Sequence, residues 1–266
     1  MREAQTAREG SDRSGRSRAG IVRATARAGD MDRYLSALLA PRSARADLLA
    51  LTAFLGEVAR IPEIVTEPAI GEIRLQWWRD AVEAAGDGGQ TGNPVADALG
   101  DAIVRGGLPR EELVGVIDAC SEDLAGVDAI AGAASGTDLA PYLDRSDGAA
   151  FRLAARVLGV NDDSSRELLA ASGQAYGRTR LLRRDARAGR GPLQAQIKEA
   201  RDCLSEVRML IKPASAAVIP AILPVALVEP YLAALEGQHD EAATPAGISQ
   251  LARVWTLWKA SVRQRV

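Results

Sequence analysis

The chain has 266 residues, 47% of them hydrophobic and 26% charged, with a formal net charge of -2. That is the composition of an ordinary soluble globular protein, long enough for one large domain or two small ones. The near-neutral balance gives no reason to expect a polyanion partner for the molecule as a whole, and an aromatic content of 4% among abundant Ala, Leu, Arg and Glu favours helices over strands.

Residues 1–30 are rich in Arg, Ser, Gly and Ala and contain no hydrophobic run, so they are expected to form a disordered tail. They lack the apolar core of a secretory signal. Their Arg and Ser content faintly resembles a transit peptide, which Glu3, Glu9 and Asp12 oppose, and Met31 is a candidate start. The domain is then 31–266. Asp32 is expected to cap a helix over Arg33–Leu39, which Pro41 ends. Leu48, Leu49, Leu51, Phe54, Leu55 and Val58 give Ala46–Val65 the period of a core-facing helix. Pro68 and Gly71 mark a break, and Glu72–Ala85 follows, stopped by the Gly86–Gly89 loop.

Further helices are expected over Pro94–Arg105, Arg110–Val127, Leu139–Leu158, Ser164–Arg187, Gln194–Leu210, Ser215–Leu235 and Gly247–Arg263. With short Gly and Pro loops, no repeat and no βαβ rhythm, the expected architecture is one all-α helical bundle. The uncharged run Pro213–Val228 is short for a bilayer crossing and interrupted by Pro220 and Pro224. It reads as a buried core helix, with a surface resting on a membrane as the alternative. Cys120 and Cys203 have no partner spacing and read as free buried thiols. His239 stands alone in the polar stretch Glu236–Glu241 and reads as a loop residue.

The stretch from Asp32 to Glu83 carries the most information. A short aromatic-led helix and a proline turn lead to a longer helix, then to one containing Leu75, Gln76, Trp77, Trp78 and Arg79. This order resembles the opening of squalene/phytoene synthase-family proteins, and the likeness continues at Tyr142–Leu153, Gln174–Leu193 and Lys212–Leu235. The resemblance implies an isoprenoid-synthase bundle that holds Mg2+ between two aspartate-rich motifs and joins two prenyl diphosphates head to head. Magnesium wants oxygen ligands in near-octahedral geometry and neutralises charge on the leaving diphosphate.

Against the first motif of the family, the segment here is Pro62, Glu63, Ile64, Val65, Thr66 and Glu67. Glu63 and Glu67 are four apart and could share a helix face, although Pro62 and Pro68 bracket them and are expected to kink or shorten the helix. Asp185, Ala186, Arg187, Ala188, Gly189 and Arg190 resemble the tail of the second motif. That places Asp185 at the motif's last aspartate, Leu181 at its first and Arg184 at an acidic position. Glu63, Glu67 and Asp185 are therefore vestigial metal candidates, and no catalytic residue is assigned. The segment Glu72–Glu83 is closer to the divergent branch of the family that includes a mitochondrial assembly factor for respiratory complex I.

Arg180, Arg183, Arg184 and Arg187 fall largely along one helix face. With Arg60 and Arg190, the residues Arg180, Arg184 and Arg187 are the candidates for binding a diphosphate, because guanidinium groups grip phosphate bidentately. A solvated face paired with neighbouring acids is the bland alternative. Trp77 and Trp78 point about 100° apart on a helix, and with Arg79 they read as structural anchors. The functional reading is a family member with eroded motifs, non-catalytic or altered, binding an isoprenoid, a lipid or a protein partner. The alternatives are an active Mg2+-dependent prenyl diphosphate transferase and a peripheral membrane protein that binds anionic lipid through Arg178–Arg190. Without catalysis no cofactor is expected. Nucleic acid is excluded, since only Tyr176 interleaves with the arginines. A cytoplasmic location, with contact to a membrane surface, is expected.

Overall fold

The computed structural model describes residues 17–85, 89–124, 138–189, 194–237 and 247–266. Among them every regular element is helical, as the periodicity and composition imply. The elements are α1 (residues 17–29), α2 (Met31–Leu39), α3 (Arg45–Ile64), α4 (Pro68–Ala84), α5 (Pro94–Gly106) and α6 (Arg110–Leu124). They continue with α7 (Ala140–Leu143), α8 (Ala149–Val157), α9 (Arg166–Arg187), α10 (Gln194–Leu210), α11 (Ile219–Ile222), α12 (Val228–Glu236) and α13 (Gln250–Arg263).

The expected tail is corrected in part. Residues 17–29 form α1, which buries Val22 and Ala26 in the same apolar cluster as Phe54 and Trp78. The reason is a backbone contact that composition does not reveal. A Cβ on Gly56 would lie 2.8 Å from the Cα of Gly29, so α1 and α3 touch main chain to main chain where both residues are glycine. Residues 1–16 lie outside the described residues. The cap of α2 is also displaced: Asp30, not Asp32, accepts the amide of Arg33 at 2.9 Å. Asp32 is thereby released for another role.

Pro62 does not shorten α3, which runs through it to Ile64. The expected helix Leu139–Leu158 is instead two helices joined by a π-helical turn, Asp144–Gly148. The expected helix Ser215–Leu235 is broken at its prolines into 3-10 turns around α11, followed by α12. The stretch Ala216–Glu236 is long and apolar enough to cross a membrane by length and composition alone, but two thirds (67%) of its most apolar 18-residue window is buried inside the bundle, the core role expected of it.

Two large apolar clusters, with two smaller ones beside them, make up the core of the described residues. One is centred on α3, α4, α5 and α6, the other on α9, α10 and the segment from Val218 to Leu235, and Leu35 and Ala154 pack against both. Trp78 is buried, edge-on to Phe54 at 5.3 Å, and packs α4 against α3. Trp77 is 40% exposed, so only one of the tandem tryptophans is a core anchor. Arg79 bonds Asp118 on α6 at 2.8 Å.

The π turn sits against α9 with almost no space. A Cβ on Gly173 would fall 2.6 Å from both Cα and N of Gly148, and one on Gly177 would fall 2.8 Å from the Asp147 carboxylate. Gly173→Ala is therefore expected to destabilise the protein by about 1–3 kcal/mol through forced backbone displacement. Gly115→Ala, whose Cβ would meet nothing closer than 3.9 Å, should be neutral or up to about 1 kcal/mol stabilising through helix propensity. Urea unfolding of the two variants measures the contrast.

Candidate functional site

A cavity of about 420 Å3 opens where α2, α3, α6, the π turn, α9 and α13 converge. One stripe of α9 supplies Tyr176, Arg180, Arg183, Arg184 and Arg187, at steps of four, three, one and three residues, so a single helix face enters the cavity. Arg33, Asp30 and Asp32 come from the start of α2, Asp123 from the end of α6, Asp147 from the π turn and Arg253 from α13. Leu55, Ala59, Val116 and Ala150 give the cavity an apolar side.

Charge in this interior is arranged in pairs. Asp147, 3% exposed, accepts Arg33 at 2.8 Å on one oxygen and both Nε and Nη2 of Arg180 at 3.0 and 2.8 Å on the other. Burial alone would raise its pKa, but Arg180 and Arg33 outweigh that and hold the carboxyl below the usual range. A π turn inserts one extra residue into a helical path, and here it carries Asp147 to within reach of both arginines. Arg33 also lies over the rings of Phe151 and Tyr176, at 5.4 and 4.9 Å.

Asp32 is the second centre. Tyr231 donates to it at 2.8 Å, Tyr176 donates at 3.1 Å, Arg253 bonds it at 2.9 Å and Arg183 lies 3.5 Å away. Burial, with Asp30 beside it, pushes this carboxyl up against the pull of Arg183 and Arg253. Arg183 stacks on Tyr231 at 3.5 Å. Asp123 accepts Tyr142 at 3.1 Å and lies 3.6 Å from Arg184; burial raises its pKa despite Arg184 and Arg180. The Cys120 thiol, also on the cavity wall, is pushed up to about 12 by burial, so it is not a nucleophile near neutral pH.

The candidates read from the sequence separate. Glu63 is exposed at the cavity rim. Glu67 is exposed and does not line the cavity, because α3 ends at Ile64 and the two glutamates share no helix face. Asp185 is buried, but it projects from a side of α9 other than the arginine stripe and is not part of the cavity wall. The three do not converge, and among the described residues no group of three His, Cys, Asp or Glu is placed to hold a metal ion. Arg180, Arg184 and Arg187 do line the cavity; Arg60 is exposed outside it, and Arg190 lies outside the described residues.

Sequence reasoning passed over Asp32, Asp147, Arg33 and Arg253. A usable signal for Asp147 existed in Gly173 and Gly177, one turn apart on the arginine helix, which mark where another backbone comes close.

A helical bundle whose helices converge on a charged central cavity is the architecture of an isoprenoid synthase. The squalene/phytoene synthase family model matches residues 26–193, and the chain belongs to that family. The structure aligns with the squalene synthase HpnC from Alicyclobacillus acidocaldarius at a TM-score of 0.63, over 84% of this chain and 94% of that one, with 20% identity. That degree of likeness establishes the fold. In sequence the chain is 31% identical over 154 residues to NADH dehydrogenase (ubiquinone) complex I, assembly factor 6, of Rattus norvegicus, and 28% identical to the Homo sapiens protein. The match takes in 58% of this chain but only 45% of the relatives' length.

Replacing Asp147 by Asn leaves Arg33 and Arg180 without their shared counter-charge. With Arg180 still 32% exposed, a loss of about 3 kcal/mol is expected, the lower end for a broken buried pair. The sign with pH follows from the lowered pKa. Asp147 contributes its stability above the unfolded value of 3.8 and loses it as pH falls through the lower folded value. Denaturant melts between about pH 5 and pH 3 should therefore fall more steeply for the wild type than for Asp147→Asn.

Proposed function

We propose that this chain is a non-catalytic member of its family, which uses the cavity to bind a prenyl diphosphate or another isoprenoid or lipid with an anionic head, in the service of a protein partner. One observation carries the reading: the cavity's buried carboxylates are already engaged by arginine. Asp147 is bonded by Arg33 and Arg180, Asp32 by Arg253 with Arg183 beside it, and Asp123 faces Arg184.

Magnesium does not fit these residues. It needs several free oxygen ligands around one point, and a guanidinium in that shell repels it. The arginines instead supply fixed positive charge and planar donors, which hold phosphate oxygens without metal. The cavity wall carries Arg33, Arg180, Arg183, Arg184, Arg187 and Arg253, six cations, against the five carboxylates Asp30, Asp32, Glu63, Asp123 and Asp147. The Arg183 Nε is buried without a hydrogen-bond partner, so one donor is left over. The volume of about 420 Å3 suits a small ligand, and each apolar methylene buried against Leu55, Val116 and Ala150 would add up to about 0.8 kcal/mol. Similarity to proteins named as complex I assembly factors supports action through a protein partner.

Purified protein given farnesyl or geranylgeranyl diphosphate with Mg2+ should release no pyrophosphate above background. Release that Glu63→Ala and Asp185→Ala both abolish would establish the active transferase instead. In calorimetric titrations with EDTA present, farnesyl diphosphate should still bind, and Arg184→Ala should weaken it roughly tenfold through loss of one charge-assisted contact.

A further inference from the structure

The outer face of α13 carries an apolar stripe that the cavity does not explain. Leu251, Val254, Trp255, Trp258 and Val262 are between 45% and 83% exposed. At 3.6 residues per turn they fall within a sector of roughly 100°. Trp255 and Trp258 stack on each other at 5.0 Å. The helix is nevertheless held firmly. Ser249 caps it, Leu257 and Ala260 are buried beneath it, and Arg253 reaches in to Asp32. The stripe is therefore a presented surface on an ordered element.

Its surroundings are cationic. Lys259 and Arg263 flank the stripe on the same helix, and Arg265 follows it. The end of α10 adjoins the C-terminus, where Arg208 donates to the Val266 carbonyl at 3.3 Å, and Arg208, Lys212 and Arg265 line a shared groove. Met209 beside them is 63% exposed. Neither 247–266 nor 207–216 contains an Asp or Glu, in a chain whose net charge is -2. Two adjacent tryptophans, an aliphatic stripe and flanking Lys and Arg without carboxylates are the composition of a helix that lies in a lipid headgroup layer. At 14 residues α13 is too short to span a bilayer. A two-fold contact with a second copy through this face would bring two equally cationic patches together.

We infer that α13 is an interfacial docking helix, by which the protein rests on a membrane containing anionic phospholipid. The face is separate from the Arg178–Arg190 stretch, whose Arg180, Arg184 and Arg187 are turned to the cavity. The inference does not depend on what the cavity binds.

Vesicle co-sedimentation tests it, with phosphatidylcholine alone and with phosphatidylcholine mixed with phosphatidylglycerol. The full chain should bind the mixed vesicles, bind phosphatidylcholine weakly, and shift its tryptophan emission to the blue on binding. The double substitution Trp255→Ser with Trp258→Ser should abolish binding while the protein stays helical and melts cooperatively, because the buried Leu257 and Ala260 and the Arg253 contact to Asp32 still hold the helix. Lys259→Glu and Arg263→Glu should each weaken binding by about fivefold or more, and added salt should do the same. With the fold verified in each variant, the effect on sedimentation reads the surface itself. Equal binding by wild type and the tryptophan variant would overturn the inference. So would no binding by the wild type, or a stripe-dependent dimer in sedimentation velocity that leaves the vesicles untouched.

Discussion

A protein interior accepts a guanidinium only with a counter-charge, and this one accepts several at once. The organisation of the bundle centre follows from that constraint. Arg180 and Arg33 share Asp147, and Arg183 and Arg253 share Asp32. Each carboxylate must come from a different element than its arginines, so α2, the π turn, α9 and α13 are tied together across separations in sequence of up to 221 residues, from Asp32 to Arg253. The π turn, the glycines that let it approach α9, and the transfer of the α2 cap to Asp30 are all local adjustments that bring one of these carboxylates into place.

The fold was legible because its signals are repetitive. The period of Leu48 to Val58 and the proline and glycine breaks reappear as α3, α5 and their neighbours. The departures are places where one contact overrides a local pattern. Composition marks 17–29 as tail-like, yet Gly29 against Gly56 and the burial of Val22 and Ala26 draw it into the core. Pro62 should disturb α3, but the helix carries it for two more residues.

The site was legible only by halves. Arg180, Arg184 and Arg187 stand on one stripe of one helix, and helical spacing exposes such a set. Their partners are far away in sequence, and no period links Asp32 to Arg183 or Asp147 to Arg33. Reading carboxylates through the aspartate-rich motifs led to Glu63, Glu67 and Asp185, which the structure distributes over the rim, the exterior and the far side of α9. The cavity's arginine-paired carboxylates, Asp32, Asp123 and Asp147, lie outside both motifs.

The pairing with arginine sets the charge of the cavity. A carboxylate cluster is a repulsive arrangement until a divalent ion neutralises it, so its charge depends on metal supply. Arginine supplies its charge permanently; burial opposes that charge, but Asp30 and Asp147 beside Arg33, and Asp147 beside Arg180, outweigh it and leave both more firmly protonated than in water. Such a cavity keeps its positive charge at any physiological pH. The same helix that closes it, α13, sends Arg253 inward and the tryptophans outward. The bonds from Arg253 to Asp32 and Tyr231 thus join the element that carries the outer face directly to the charged centre of the bundle.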